Sequence, residues 1–283
     1  FRTAPDPTLT NKSFSFIAGA CNNPPDEVYE PQEYTKYVQY WNYVNTMTSN
    51  SSSPLFYLNM GDLHYADVPY NEDYANVSNN RYEYEFYMFA NDNNTERPTK
   101  AVLQNMPISY VWDDHDMFSL LWGEKICQDN SCLENITDCG NSTIQRTIAA
   151  YHTVTNSNAT AQQAYREYVP HYPLANNAAI YQAYTIGRVR FILTDLRSEQ
   201  SLNEMMSESQ LCWFKTECLN AKKNNQLIAW VSSIGITSTR SETDSEKDFW
   251  GISNKRGQRT AIFNWLKDAG INNLFIIAGD THS

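Results

Sequence analysis

Basic residues are scarce in this chain of 283 residues: 21 Lys and Arg stand against 32 Asp and Glu, for a net charge of -11. Polyanions are held by clustered Lys and Arg, so this balance argues against a nucleic-acid platform. Long apolar runs are missing as well. No segment approaches the roughly 20 residues that a membrane span needs. The opening Phe1-Arg-Thr-Ala-Pro5 has neither the charged nor the apolar region of a signal peptide, so an exported protein would be seen here in its mature form. There is no Gly-rich phosphate loop of the Walker type and no Gly-x-Ser-x-Gly turn, which counts against nucleotide-driven and serine-hydrolase chemistry. Histidine is limited to His64, His115, His152, His171 and His282. Internal repeats, charge blocks and heptads are absent.

What is present suffices for a core. With 41% hydrophobic and 13% aromatic residues, residues 1–283 are expected to form one large domain. Ser13 to Cys21 reads as a strand ending in glycine and a Pro-rich loop. From Pro31 to Met47, Tyr34, Tyr37, Val38, Trp41 and Val44 recur at helical spacing, with proline in the first turn. Leu55 to Met60 and Ile108 to Trp112 are short apolar runs suited to buried strands, and Arg81 to Ala90 suits a helix. Residues 117–177 are irregular, hold three of the cysteines and two helical stretches (142–151 and 159–168), and are expected to form a lid or insertion. Gly187-Arg188 separates two strands of a hairpin. Helix 208–220, strand 227–234, helix 255–268 and strand 274–278 complete an alternation that predicts a doubly covered, largely parallel sheet.

Cysteines and sequons bear on compartment. Cys127, Cys132 and Cys139 share one loop segment, Cys212 and Cys218 another, and Cys21 stands alone. The loop group points to extracellular disulfides; a zinc knuckle is the weaker alternative, since that segment has no histidine and no fourth thiolate. Seven Asn-x-Ser/Thr sites occur, at Asn11, Asn50, Asn76, Asn93, Asn135, Asn141 and Asn158. With 30 Asn and 45 Ser plus Thr, chance alone gives about five. The excess is small, but together with the cysteines it suggests a secreted glycoprotein carrying N-glycans.

Chemistry concentrates at strand ends. Tyr110-Val-Trp-Asp-Asp-His-Asp116 runs from an apolar strand into three carboxylates and a histidine, a concentration that an interior tolerates only beside a neutralising cation. Cys21, Asp62, Asp195 with Arg197, and Asp280 with His282 likewise follow directly on apolar strands. In open α/β sheets ligands collect beyond the carboxyl ends of the strands.

Gly61-Asp-Leu-His-Tyr65, then Trp112-Asp-Asp-His-Asp116, then Gly279-Asp-Thr-His282 resembles the calcineurin-like metallophosphoesterases. Gly19-Ala-Cys21 and Leu193-Thr-Asp-Leu-Arg-Ser198 narrow the resemblance to the PhoD-like (alkaline phosphatase D) family. It covers nearly the whole chain; each motif is weak alone and specific in this order. The resemblance implies an αββα sandwich of mixed sheets flanked by helices. It also implies a metal-dependent phosphatase or phosphodiesterase in which cations activate a water against a phosphate mono- or diester.

Asp62 is then the expected bridge between two metals, on a loop tightened by Gly61. Cys21 and Tyr65 would bind a strongly polarising ion such as Fe3+. Taken alone, they are equally a small buried residue and one of 19 tyrosines. Asp114 stands where relatives carry an amide, and strand 227–234 lacks the histidine those enzymes typically offer. The second site is therefore oxygen-rich, with Asp114, Asp280 and water, and suits Ca2+, with Mg2+, Mn2+ or Zn2+ as substitutes. His282 completes the metal set. His115 is the expected general acid or phosphoryl hydrogen-bond donor, oriented by Asp116. Arg197 is expected either to hold substrate phosphate or to pair with Asp195.

A purple-acid-phosphatase relative would need Gly-Asn-His and a terminal His-x-His, which are absent. The alternative from another class is a non-catalytic structural or adhesive secreted glycoprotein that keeps the fold and self-assembles. The sequence stops one residue after a proposed ligand, so a C-terminally truncated domain is expected.

Overall fold

The computed structural model describes residues 13–22, 31–48, 54–65, 77–89, 91–92, 95–96, 98–117, 159–201, 203–237, 249–251 and 253–280. Seven of its strands form two sheets. The first has three parallel strands in the order β1 (Ile17–Gly19), β2 (Tyr57–Met60), β5 (Ile108–Val111). The second runs β6 (Gln182–Ile186), β7 (Val189–Thr194), β8 (Leu227–Ser232), β9 (Leu274–Ala278), with the first pair antiparallel and the rest parallel. A two-residue ribbon, β3 (Asn91–Asp92) with β4 (Thr95–Glu96), stands apart from both.

The single sheet expected from the strand pattern is therefore divided in two, as the family resemblance implied. The two sheets meet through side chains: Phe56 lies edge-on to Phe191 and Tyr184, and Phe16 edge-on to Phe191. A hydrogen bond of 2.5 Å joins the Ser109 and Tyr184 hydroxyls across the interface. Side-chain alternation sorts the second sheet. Phe191, Leu193, Ala229 and Val231 enter the core shared with the first sheet, while Ile192, Ile228 and Trp230 enter a second core under helices.

Helix α1 (Pro31–Met47) has the predicted bounds and buries Trp41 and Val44 against the first sheet, the Trp41 ring 5.3 Å from that of Tyr57. Helix α2 (Val77–Phe89) starts four residues before its predicted position, and α3 (Pro98–Asn105) has no counterpart in the sequence expectations. A single turn, α4 (Asp114–Met117), follows β5, and a helical run α5 covers 159–168. On the outer side of the second sheet lie α6 (Glu208–Lys223) and α7 (Ser253–Asp268). Helix α6 is capped by Ser207, whose hydroxyl accepts from Gln210 N, and has Lys222 and Lys223 in its last turn. Gly187 turns the β6–β7 hairpin at φ 54°. The order of layers is helices, sheet, sheet, helices.

Among the described residues no helix is long and apolar enough to cross a membrane. The described cysteines, Cys21, Cys212 and Cys218, are free thiols. Cys127, Cys132, Cys139, the helix expected at 142–151 and all seven sequon asparagines lie outside the described residues.

Candidate metal centre

The carboxyl ends of both sheets converge on one spot. At Gly279, a Cβ would lie 2.6 Å from the carbonyl of Met60 and 2.9 Å from both Ala20 Cβ and the Ser233 carbonyl, so three other strand ends crowd this glycine. Gly61 has no room for a Cβ because Asp113 Cβ occupies that space. The two glycines bring the loops after β1, β2, β5, β8 and β9 within side-chain reach.

Strained backbone marks the same loops. Among the described residues, four that are not glycine have positive φ: Cys21 (54°), Asp62 (54°) and Asp280 (51°), with Asn225 (52°) elsewhere. Such conformations cost of order 1–3 kcal/mol each and persist only where surrounding contacts fix them. Main-chain bonds do so here, from Cys21 N to Gly61 O (3.2 Å) and from Asn22 N to Asp62 O (2.8 Å). Beneath them Asn22 donates to Asn59 Oδ1 (2.8 Å), and Asn59 donates to the Gly61 carbonyl (3.3 Å).

Two groups of ligand-type side chains have atoms within 4.8 Å of one another: Cys21, Asp62 and Asp280, and Asp62, Asp114 and His115. Asp62 belongs to both. Its Oδ2 lies 3.5 Å from Cys21 Sγ and from the Tyr65 hydroxyl. Its Oδ1 is buried and has no hydrogen-bond partner among the described residues. The His115 ring is half-buried and lies against Tyr65, centroids 4.1 Å apart. Thus six of the eight residues predicted for the site, Cys21, Asp62, Tyr65, Asp114, His115 and Asp280, come together, and Arg197 lies beside them. His282 is outside the described residues.

Burial, and then the charges of Asp113, Asp114 and Asp116, push the Asp62 carboxyl well above the usual carboxylate range, with Arg197 opposing. Asp113 is raised mainly by burial despite Arg197. The Cys21 thiol and the Tyr65 phenol are raised by burial and then by Asp62. So many acids can ionise together only beside a compensating cation. The buried, unpartnered Asp62 oxygen and the mixed thiol, phenol, carboxylate and imidazole set both fit a metal in this position.

Two expectations are corrected. The Arg197 guanidinium does not pair with Asp195, which takes only the Arg197 main-chain N–H (3.1 Å): its Nε donates to Asp113, and Nη2 lies 3.4 Å from Asp114 Oδ1, with the side chain sealed from solvent. Asp195 instead accepts from Trp112 Nε1 (2.9 Å), Ile180 N (2.8 Å) and Ser198 Oγ (2.5 Å), tying β5 to the second sheet. Asp116 was expected to orient His115. Its two oxygens accept the main-chain N–H groups of Asp62 (2.7 Å), Leu63 (2.8 Å), His64 (3.2 Å) and Asp113 (2.9 Å). His64, in the same motif as Asp62, is buried with its ring edge-on to Tyr84, centroids 4.8 Å apart.

Sequence reasoning missed Asn22, Asn59 and Ser233, the last donating to Asp113 (3.0 Å). Asn59 carried a signal, as an amide inside an otherwise apolar strand. Ser233 carried none.

No curated protein matches this chain. The family model described as PhoD-like phosphatase matches residues 18–283, from the first strand through the last predicted ligand. The chain belongs to the PhoD-like phosphatase family.

Proposed function

We propose that the protein is a metal-dependent phosphatase or phosphodiesterase acting on small phosphate esters, and that it works outside the cell. The observation that carries the metal dependence is Asp62: one carboxylate shared by two ligand groups, with a buried oxygen that has no hydrogen-bond partner among the described residues. A shared carboxylate is how a protein holds two cations a few ångströms apart.

Cys21, Asp62, Tyr65 and Asp280 would hold the first ion, Asp280 being assigned here rather than to the second site expected from the sequence because it groups with Cys21 and Asp62; the thiol and phenol donors favour Fe3+. Asp62 and Asp114 would hold the second, whose oxygen donors favour Ca2+ and admit Mg2+ or Mn2+. His282 is proposed as a further ligand from its place in the Gly279-Asp-Thr-His282 motif. When bound, the cations polarise the attacking water and the phosphoryl oxygens and offset the charge of the leaving oxygen.

The protein's own groups do the rest. His115 is half-buried and braced by the Tyr65 ring. As the bond from phosphorus to the leaving oxygen breaks, the imidazolium gives that oxygen a proton. Arg197 is too enclosed to grip substrate and acts by fixing Asp113 and Asp114. Glycans on the seven sequons, disulfides within Cys127, Cys132 and Cys139, self-assembly, and one domain with an insertion at 117–177 belong to the same proposal and rest on the sequence.

The test is elemental analysis of the purified protein combined with turnover of a chromogenic phosphate monoester and diester. Stoichiometric iron or calcium with hydrolysis of either ester is the expected result. Metal-free, inert protein would reject the proposal and favour a structural role for the fold.

A further inference from the structure

Asp116 is almost completely buried, with 1% of its surface exposed, yet it belongs to neither ligand group. Its carboxylate reaches across from the loop after β5 to the loop after β2. Oδ2 accepts from Asp62 N and Asp113 N, and Oδ1 from Leu63 N and His64 N. A carboxylate with several main-chain donors is a strong, directional clamp. The residue it grips most closely, Asp62, stands at φ 54°. That conformation is unfavourable for an aspartate unless the surroundings enforce it. Asp116 also closes the short α4 turn on itself, taking the N–H of Asp113 as the third residue of a helix does in a capping box.

We propose that Asp116 is a positioning residue: by gripping the N–H groups of residues 62–64 it holds Asp62 in the left-handed conformation that aims its carboxylate into both ligand groups, before any metal arrives. The inference rests on the metal-dependent reading of the site. It assigns Asp116 no contact with substrate or ion. An asparagine at 116 keeps one acceptor oxygen and replaces the other with an amide N–H donor, so one of the two pairs of N–H groups is left facing a donor.

The test uses the full chain stripped of metal and titrated calorimetrically with Mn2+ and with Ca2+, wild type beside Asp116→Asn, with far-UV circular dichroism to confirm folding. The expected result is a loss of metal affinity of about 10–100-fold in a variant whose spectrum is unchanged, together with a lower kcat and a KM close to wild type. A variant matching the wild type in affinity overturns the inference and leaves the metallophosphoesterase proposal standing. A wild-type chain that binds neither ion overturns both. Should the variant not fold, amide hydrogen exchange on the metal-free wild type decides. Protection of the Leu63 and His64 amides before metal is added supports the clamp; protection that appears only after metal is added overturns it.

Discussion

Arg197 donates from Nε to Asp113 in the interior, with 0% and 1% of the two side chains reaching solvent. The same guanidinium lies 3.4 Å from Asp114, so one cation steadies two adjacent acids at the end of β5. Truncation would leave Asp113 buried without its counter-charge, and breaking a buried pair from one side costs about 3–5 kcal/mol. Arg197→Ala should lower the free energy of unfolding by that amount in a denaturant titration. A midpoint equal to wild type would remove the pair from any account of stability.

Substitution at the shared carboxylate should be more severe for metal than substitution at the thiol. Asp62→Asn is expected to abolish retention of both ions, whereas Cys21→Ala should deplete only the ion that the thiol contacts. Elemental analysis of the two purified variants against wild type separates these outcomes. Equal depletion would show that Asp62 does not serve two positions.

His115→Ala removes the proposed proton donor. Loss of a general acid lowers turnover by about 10^2–10^4-fold, and because His115 is only half-buried, the circular dichroism spectrum should be unchanged. The loss should be smaller for an ester whose leaving group is already a good anion. Equal losses for good and poor leaving groups would argue that His115 binds the phosphoryl group rather than the departing oxygen.

Alkaline pH should unfold the protein cooperatively through its tyrosines. Burial raises the phenols of Tyr57, Tyr84, Tyr110, Tyr165 and Tyr184 above their ordinary value near 10. The unfolded chain then loses these protons first. The stability they contribute is complete below pH 10 and falls as pH rises above it. Phenolate absorbance from these residues should appear together with loss of secondary structure; a gradual rise in a folded protein would contradict their burial.

The thiols offer a simple check on the second core. Cys212 is exposed on α6, while burial, with a smaller effect of Glu217, pushes the Cys218 thiol up to about 12. Iodoacetamide at pH 8 should label Cys212 and spare Cys218 until denaturant is added, as peptide mapping would reveal.

Much of the fold could be read from local pattern, and the gaps have specific causes. The bounds of α1 and the β6–β7 hairpin follow from Pro31 with its helical spacing and from Gly187-Arg188. Helix α3 escaped because it is eight residues long and buries only Thr99 and Val102, too few for a periodic signal. The division into two sheets came from the family resemblance and not from the strand pattern, because apolar strands do not declare their partners: nothing within Ile108–Val111 says that, among the described residues, it pairs with β2 alone.

In the candidate site, strand-end placement found the acids that face one another, but could not assign which acid does what. Asp114 and Asp116 are two residues apart, and only contacts with residues more than 50 positions away distinguish a ligand candidate from a clamp. Arg197 was tied to Asp195 by proximity in sequence, whereas its partner lies 84 positions away.

Gly279 has one further consequence. Because a carbonyl of one sheet and a carbonyl of the other both lie within 3 Å of where its Cβ would be, the gap between the sheets at the site is set by main chain against main chain. Repacking the cores with larger or smaller side chains cannot widen it without pulling whole strands apart. A member of this family suited to a bulkier ligand would have to be reached by rebuilding the surrounding loops, while the floor under Asp62 and Asp280 stayed at one fixed width.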